Sequence, residues 1–176
     1  VRIGWGLAER YDKVVTLANG LTLLRGALIA PTVAATLLGR PWIAFASFSL
    51  AVVTDAFDGL VARTRHEVTP LGAILDPAMD KLLYVGLFSA LAATGKLPPL
   101  GPILYSIPQI GLGIGTVVLW RRRGKFAARW PGKAAAALTA LSAVLLLLTP
   151  WGQVPFWTAV GANFLSAFYY LYLQAS

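Results

Sequence analysis

Seven acidic residues occur in the 176-residue chain, and four of them are the aspartates Asp55, Asp58, Asp76 and Asp80. The text reads Asp55-Ala-Phe-Asp58-Gly59-Leu-Val-Ala62-Arg63, then Thr64 to Leu71, then Gly72-Ala-Ile-Leu-Asp76-Pro-Ala-Met-Asp80. Asp55 and Asp58 are three apart and Asp76 and Asp80 four apart, and either spacing puts a pair on one face of a helix. The short connection between the segments makes them antiparallel neighbours, so the two pairs can converge. Each carboxylate in an apolar membrane helix costs about 2.5–3.5 kcal/mol on insertion scales. Four like charges also repel unless protons or a cation neutralise them. Lys81 and Arg63 offset part of that charge, but four converging oxygen ligands suit a hard divalent cation. Mg²⁺ or Mn²⁺, shared between carboxylates and substrate phosphates, is the natural candidate. A second ion about 3.5–4 Å away would make a two-metal phosphoryl-transfer site. The same charges also suit a structural ion-pair network, or a cation or proton path through a transporter.

Small residues accompany the carboxylates: Gly59 directly follows Asp58, Ala62 lies one turn on, and Gly72 one turn before Asp76. They leave room for something flat to lie against the backbone, and they equally serve close helix packing.

The elements that must carry these groups follow from composition. The chain is 57% hydrophobic and 12% charged, about half the charge of soluble domains, which excludes an ordinary water-soluble fold. The absence of cysteine and the single histidine exclude disulfide frameworks, thiolate nucleophiles and multi-histidine metal sites. Apolar stretches run over about 15–38, 42–62, 73–95, 100–120, 132–149 and 154–173, separated by breaks such as Gly39-Arg40-Pro41, Leu97-Pro98-Pro99 and Thr149-Pro150. Period-2 alternation is absent, and bilayers admit only helices or closed barrels. The expectation is an all-α integral membrane fold, six transmembrane helices forming one domain over residues 1–176. A short interfacial amphipathic helix is expected at 1–13, where Ile3, Leu7, Tyr11 and Val14 share a stripe. The opening segment lacks the pattern of a signal peptide.

Net charge is +8, gathered in the N-terminal segment and in connections two and four. Arg63, Arg65, Arg121, Arg122, Arg123, Lys125, Arg129 and Lys133 crowd those two connections, against Arg40 and Lys96 in the others. The positive-inside rule then puts both termini and the aspartates on the cytoplasmic side. A basic face on a membrane suits anionic headgroups or phosphorylated substrates, and nucleic acid is not expected as a partner.

The spaced pattern Asp-x-x-Asp-Gly-x-x-Ala-Arg, eight residues, Gly-x-x-x-Asp-x-x-x-Asp resembles the full signature of the CDP-alcohol phosphatidyltransferases. Asp55, Asp58, Gly59, Ala62, Arg63, Gly72, Asp76 and Asp80 fill every fixed position. The resemblance implies a homodimeric membrane enzyme, in a prokaryotic cell membrane, that displaces CMP from a CDP-linked lipid such as CDP-diacylglycerol with an alcohol acceptor. It further implies that Asp55, Asp58 and Asp76 hold the ion or ions, with two Mg²⁺ or Mn²⁺ expected. Asp80 also lies at the metal and acts as general base. Gly59, Ala62, Gly72 and Arg63 are expected to receive the cytidine diphosphate.

Three further features extend that reading. Asn19, Thr22 and Arg25 share an arc of helix one and are similar to the family's Asn-x-Leu-Thr-x-x-Arg start. Asn19 and Thr22 are assigned to the CDP-lipid and Arg25 to the acceptor, with bracing of the aspartates as the other reading of this arc. Lys133 follows Pro131-Gly132 at the mouth of helix five, where relatives that use a phosphorylated acceptor carry Gly-Lys; with Arg123 it is assigned to the acceptor's phosphate. Pro108-Gln109 stands in helix four where the resemblance implies an Arg with an acidic neighbour in typical members that make phosphatidylglycerol phosphate. A small phosphorylated alcohol, glycerol 3-phosphate above all, is the expected acceptor. Inositol phosphate or phosphatidylglycerol stays open, as do an intramembrane prenyltransferase and a cation transporter from other classes.

Overall fold

A computed structural model describes residues 17–65, 70–121 and 130–175, with the side chains of 17–19, 21, 56, 58–65, 70–76, 112, 114–121, 171 and 173–175 outside the description. The interfacial helix expected at 1–13 therefore lies outside the described residues. The described chain is all-helical: α1 (Leu17–Leu37), α2 (Pro41–Arg65), α3 (Pro70–Ala93), α4 (Leu100–Arg121), α5 (Trp130–Leu148) and α6 (Gln153–Ala175). A single 3₁₀ turn, Pro150–Gly152, joins α5 to α6. The six helices coincide with the six apolar stretches to within a few residues at each end. Among the described residues one helix, Trp130–Leu148, is long and apolar enough to cross a membrane, and Thr22–Leu37 and Pro41–Asp55 form shorter apolar segments. Charge is one reason for the difference: α3 carries Asp76, Asp80 and Lys81 within a few residues.

The turns explain where the helices stop. Gly39 has φ +64° and Gly95 φ +77°, a left-handed backbone that costs other residues about 1–2 kcal/mol. At the first, the Arg40 amide donates to Ala35 O (2.8 Å) and the Gly39 amide to Thr36 O (3.2 Å). The second repeats the pattern, Lys96 to Leu91 and Gly95 to Ala92. Both are Schellman caps, which satisfy the helix's last carbonyls. Lys96 then reaches the C-terminus of α5, donating to Leu147 O at 3.1 Å, and Gln153 donates to Lys96 O at 3.0 Å. The α3–α4 and α5–α6 turns thus close one end of the bundle, away from the aspartates.

α1 packs extensively on α2 and α3, and α5 on α6; α4 bridges α3 to α6, while α5 meets α2 and α3 along shorter seams. Phe48, Tyr84, Phe88, Tyr105 and Phe156 interlock at the centre, with ring centroids 4.9 Å apart in the Phe88–Tyr105 and Phe88–Phe156 pairs. Edge-to-face contacts of this kind add to the area these rings bury. α6 buries Phe156 and Val160 early in the helix and polar groups further along it. Asn163, Ser166 and Tyr170 are buried, while Leu165, Phe168 and Tyr172 face outward. α4 likewise exposes Ile103, Ile107 and Ile110 along one stripe.

Candidate active site

The aspartates lie where two long helices begin and end. Asp55 and Asp58 occupy the C-terminal part of α2, and Asp76 and Asp80 the N-terminal part of α3, each pair within one unbroken helix. Pro77 sits between the second pair without ending the helix. Gly59, Ala62 and Arg63 continue α2, and Gly72 opens α3. The side chains of Asp58, Arg63 and Asp76 are outside the described set, as is Arg123. Asp55 and Asp80 are described, and among the described residues no cluster of three or more metal-ligating side chains occurs.

Arg25 joins α1 to this region. Its guanidinium is wholly buried, and Nη2 lies 2.7 Å from Oδ1 of Asp55, whose side chain is half exposed. A buried guanidinium needs such a partner, because an unpaired buried charge costs several kcal/mol. Thr22, one turn earlier, is buried on the same helix. Gly26, directly after Arg25, lets α1 approach α3: a side chain there would begin 3.2 Å from Sδ of Met79, the neighbour of Asp80. Arg25 and Gly26 therefore bring α1 against both aspartate helices at one level. Of its two readings, the contact realised is the one to Asp55. Asn19 lies in α1 with its side chain outside the description.

Tyr84, one turn beyond Asp80, is close enough to feel the charge of both Asp80 and Asp55. Tyr105 of α4 feels Asp80 as well. These two buried rings belong to the aromatic centre, their centroids 6.3 Å apart. Neither was singled out from the sequence; the spacing Asp80-x-x-x-Tyr84 was the available signal. Lys81 turns toward α4, where its ammonium donates to the carbonyl of Gln109 at 2.9 Å. Gly113 makes that possible, since a side chain there would begin 2.8 Å from Nζ.

Lys133 stands exposed in the first turn of α5. Beside it, Gly132 faces α6, and a side chain at that position would begin 3.1 Å from the Tyr170 hydroxyl and 3.7 Å from Oγ of Ser166. The first turn of α5 is therefore seated on the polar face of α6, which leaves the lysine free to face outward.

Comparison with known proteins adds the family. The family model for CDP-alcohol phosphatidyltransferase matches residues 15–166. A probable phosphatidylglycerophosphate synthase of Mycobacterium tuberculosis is 32% identical over 142 residues, spanning 77% of this chain and 68% of that protein. A CDP-diacylglycerol–glycerol-3-phosphate 3-phosphatidyltransferase of Cereibacter sphaeroides is 45% identical over 75 residues, 40% of this chain and 34% of that one. A CMP-forming cardiolipin synthase of Oryza sativa subsp. japonica is 35% identical over 106 residues, 57% of this chain and 32% of that one.

Proposed function

This chain belongs to the CDP-alcohol phosphatidyltransferase family, and we propose that it transfers the phosphatidyl group of CDP-diacylglycerol to glycerol 3-phosphate, releasing CMP. The Cereibacter sphaeroides relative named for glycerol 3-phosphate and the Mycobacterium tuberculosis relative named a probable phosphatidylglycerophosphate synthase support that acceptor. Family membership sets aside the transporter and prenyltransferase readings. The observation that carries the mechanism is the meeting of α1, α2 and α3 at Arg25, Asp55 and Met79-Asp80.

Asp55, Asp58, Asp76 and Asp80 offer an all-oxygen donor set, which fits a hard divalent cation such as Mg²⁺ or Mn²⁺. Bound there, the metal would neutralise the diphosphate and ease departure of CMP. The chain's own groups do the rest. Arg25 holds Asp55 in place, and we assign it to this bracing role in preference to the acceptor. Arg63 grips a diphosphate oxygen with its planar fork, while Gly59, Ala62 and Gly72 keep the helix surfaces low for the cytidine. Asp80 takes the proton of the acceptor hydroxyl. That oxygen then attacks the phosphorus bearing the lipid, and the bond to CMP breaks in the same displacement. Lys133, with Arg123, holds the acceptor's phosphate.

The outward apolar stripes of α4 and α6, on a bundle that also buries polar groups such as Thr139 and Asn163, support embedding of the bundle in lipid. We read the six helices as membrane spans with the aspartate end in the cytoplasm of a prokaryotic cell, and the protein as a homodimer like the family it resembles. A purified sample given labelled CDP-diacylglycerol, Mg²⁺ and a panel of acceptors tests the proposal. Glycerol 3-phosphate is expected to yield phosphatidylglycerol phosphate. Product formed from phosphatidylglycerol alone would instead place the chain with the cardiolipin-forming relative.

A further inference from the structure

We infer that Gln109, Thr139 and Asn163 are positioning residues that set the first turns of α5 against the aspartate helices, and so fix the acceptor side of the site. This inference rests on the transferase reading above. Its basis is a chain of hydrogen bonds that crosses four helices. It starts at Lys81, next to Asp80 on α3, whose ammonium donates to the Gln109 carbonyl of α4 at 2.9 Å. The Gln109 side chain, through Nε2, donates to Oδ1 of Asn163 on α6 at 2.8 Å. Asn163 uses Nδ2 twice, donating to Oγ1 of Thr139 on α5 at 3.0 Å and to Ala159 O in its own helix at 2.8 Å. The Thr139 hydroxyl donates to Ala135 O at 2.8 Å, two residues from Lys133.

Three observations single out this chain as a device for α5. Asn163 and Thr139 are both at least nine-tenths buried, where a polar group without a partner is costly, so their geometry is specified. α1 packs extensively on both α2 and α3, whereas α5 meets α2 and α3 along short seams and depends on α6 for its support. The remaining α6 groups, Ser166 and Tyr170, come up against Gly132, in the turn that carries Lys133. Loosening the chain therefore displaces α5 relative to Asp80 and leaves the α1–α2–α3 side intact.

The test separates the two substrates. Thr139→Val, Asn163→Leu and Gln109→Leu, each purified with the full chain, are expected to raise the KM for glycerol 3-phosphate roughly three- to tenfold, the scale of a membrane-buried hydrogen bond. The KM for CDP-diacylglycerol is expected to stay within about twofold. Thr139→Ser, which keeps the hydroxyl, should restore the acceptor KM. The idea is overturned by equal changes in both constants, by no change in either, or by losses that only track the folded fraction in a detergent melt. If the wild-type enzyme turns over phosphatidylglycerol and not glycerol 3-phosphate, the acceptor assignment fails. The same split, measured with that lipid, still decides the role of these three residues.

Discussion

The buried guanidinium of Arg25 lies 2.7 Å from Asp55, and the proposed bracing role rests on this contact. Arg presents a fork of donors, and lysine offers a point charge on a flexible stem. Arg25→Lys should keep the fold but lower kcat/KM for the CDP-lipid about 10- to 100-fold, as loss of a group that orients a ligand does. A variant with unchanged kcat/KM would show that Asp55 needs no brace. Asp80→Asn should bind CDP-diacylglycerol nearly as the wild type does and lose turnover by about 10²–10⁴, the usual share of a general base. Full turnover would remove Asp80 from proton transfer. Lys133→Ala should raise the acceptor KM about tenfold or more, the scale of a hydrogen bond to a charged group, with the donor KM little altered.

At the scale of elements, helix limits were readable because apolar runs end in Gly and Pro, and the chain stops its helices there. Gly39 and Gly95 adopt the left-handed conformation that such breaks suggest. Gly39→Ala should cost about 1–2 kcal/mol. Gly152→Ala should cost more, because its side chain would overlap the backbone of Leu145 and Leu146. Melting curves in detergent rank the two, and a reversed order would contradict this packing. The aspartate pairs were equally readable, since spacings of three and four act within one helix. Partners on different helices were not. Arg25 pairs with Asp55 across two helices, and periodicity names a helix face and not what lies across from it. The Gln109–Asn163 bond joins residues 54 positions apart, and no local pattern announces it. Tyr84 and Tyr105 were hidden for the same reason: among so many apolar residues an aromatic ring reads as generic core.

For the molecule as a whole, the described residues form an all-helical bundle around an apolar, aromatic centre, with apolar side chains on its outside. The chain contains no cysteine, so single-cysteine labelling of its two ends is clean. Trp130→Cys and Trp151→Cys, at exposed positions flanking α5, should react with an impermeant maleimide from opposite sides of sealed vesicles. Labelling of both from the same side would contradict the proposed span. The central claim is that the acids of α2 and α3 act together, through a divalent ion, on a CDP-linked lipid. Its most direct measurement is CMP release from CDP-diacylglycerol plus glycerol 3-phosphate, followed against Mg²⁺ concentration for the wild type and for Asp55→Asn, Asp58→Asn and Asp76→Asn. Release should require the ion and nearly vanish in all three folded variants. Release that persists in a chelator, or that survives loss of Asp58 or Asp76, would contradict the account.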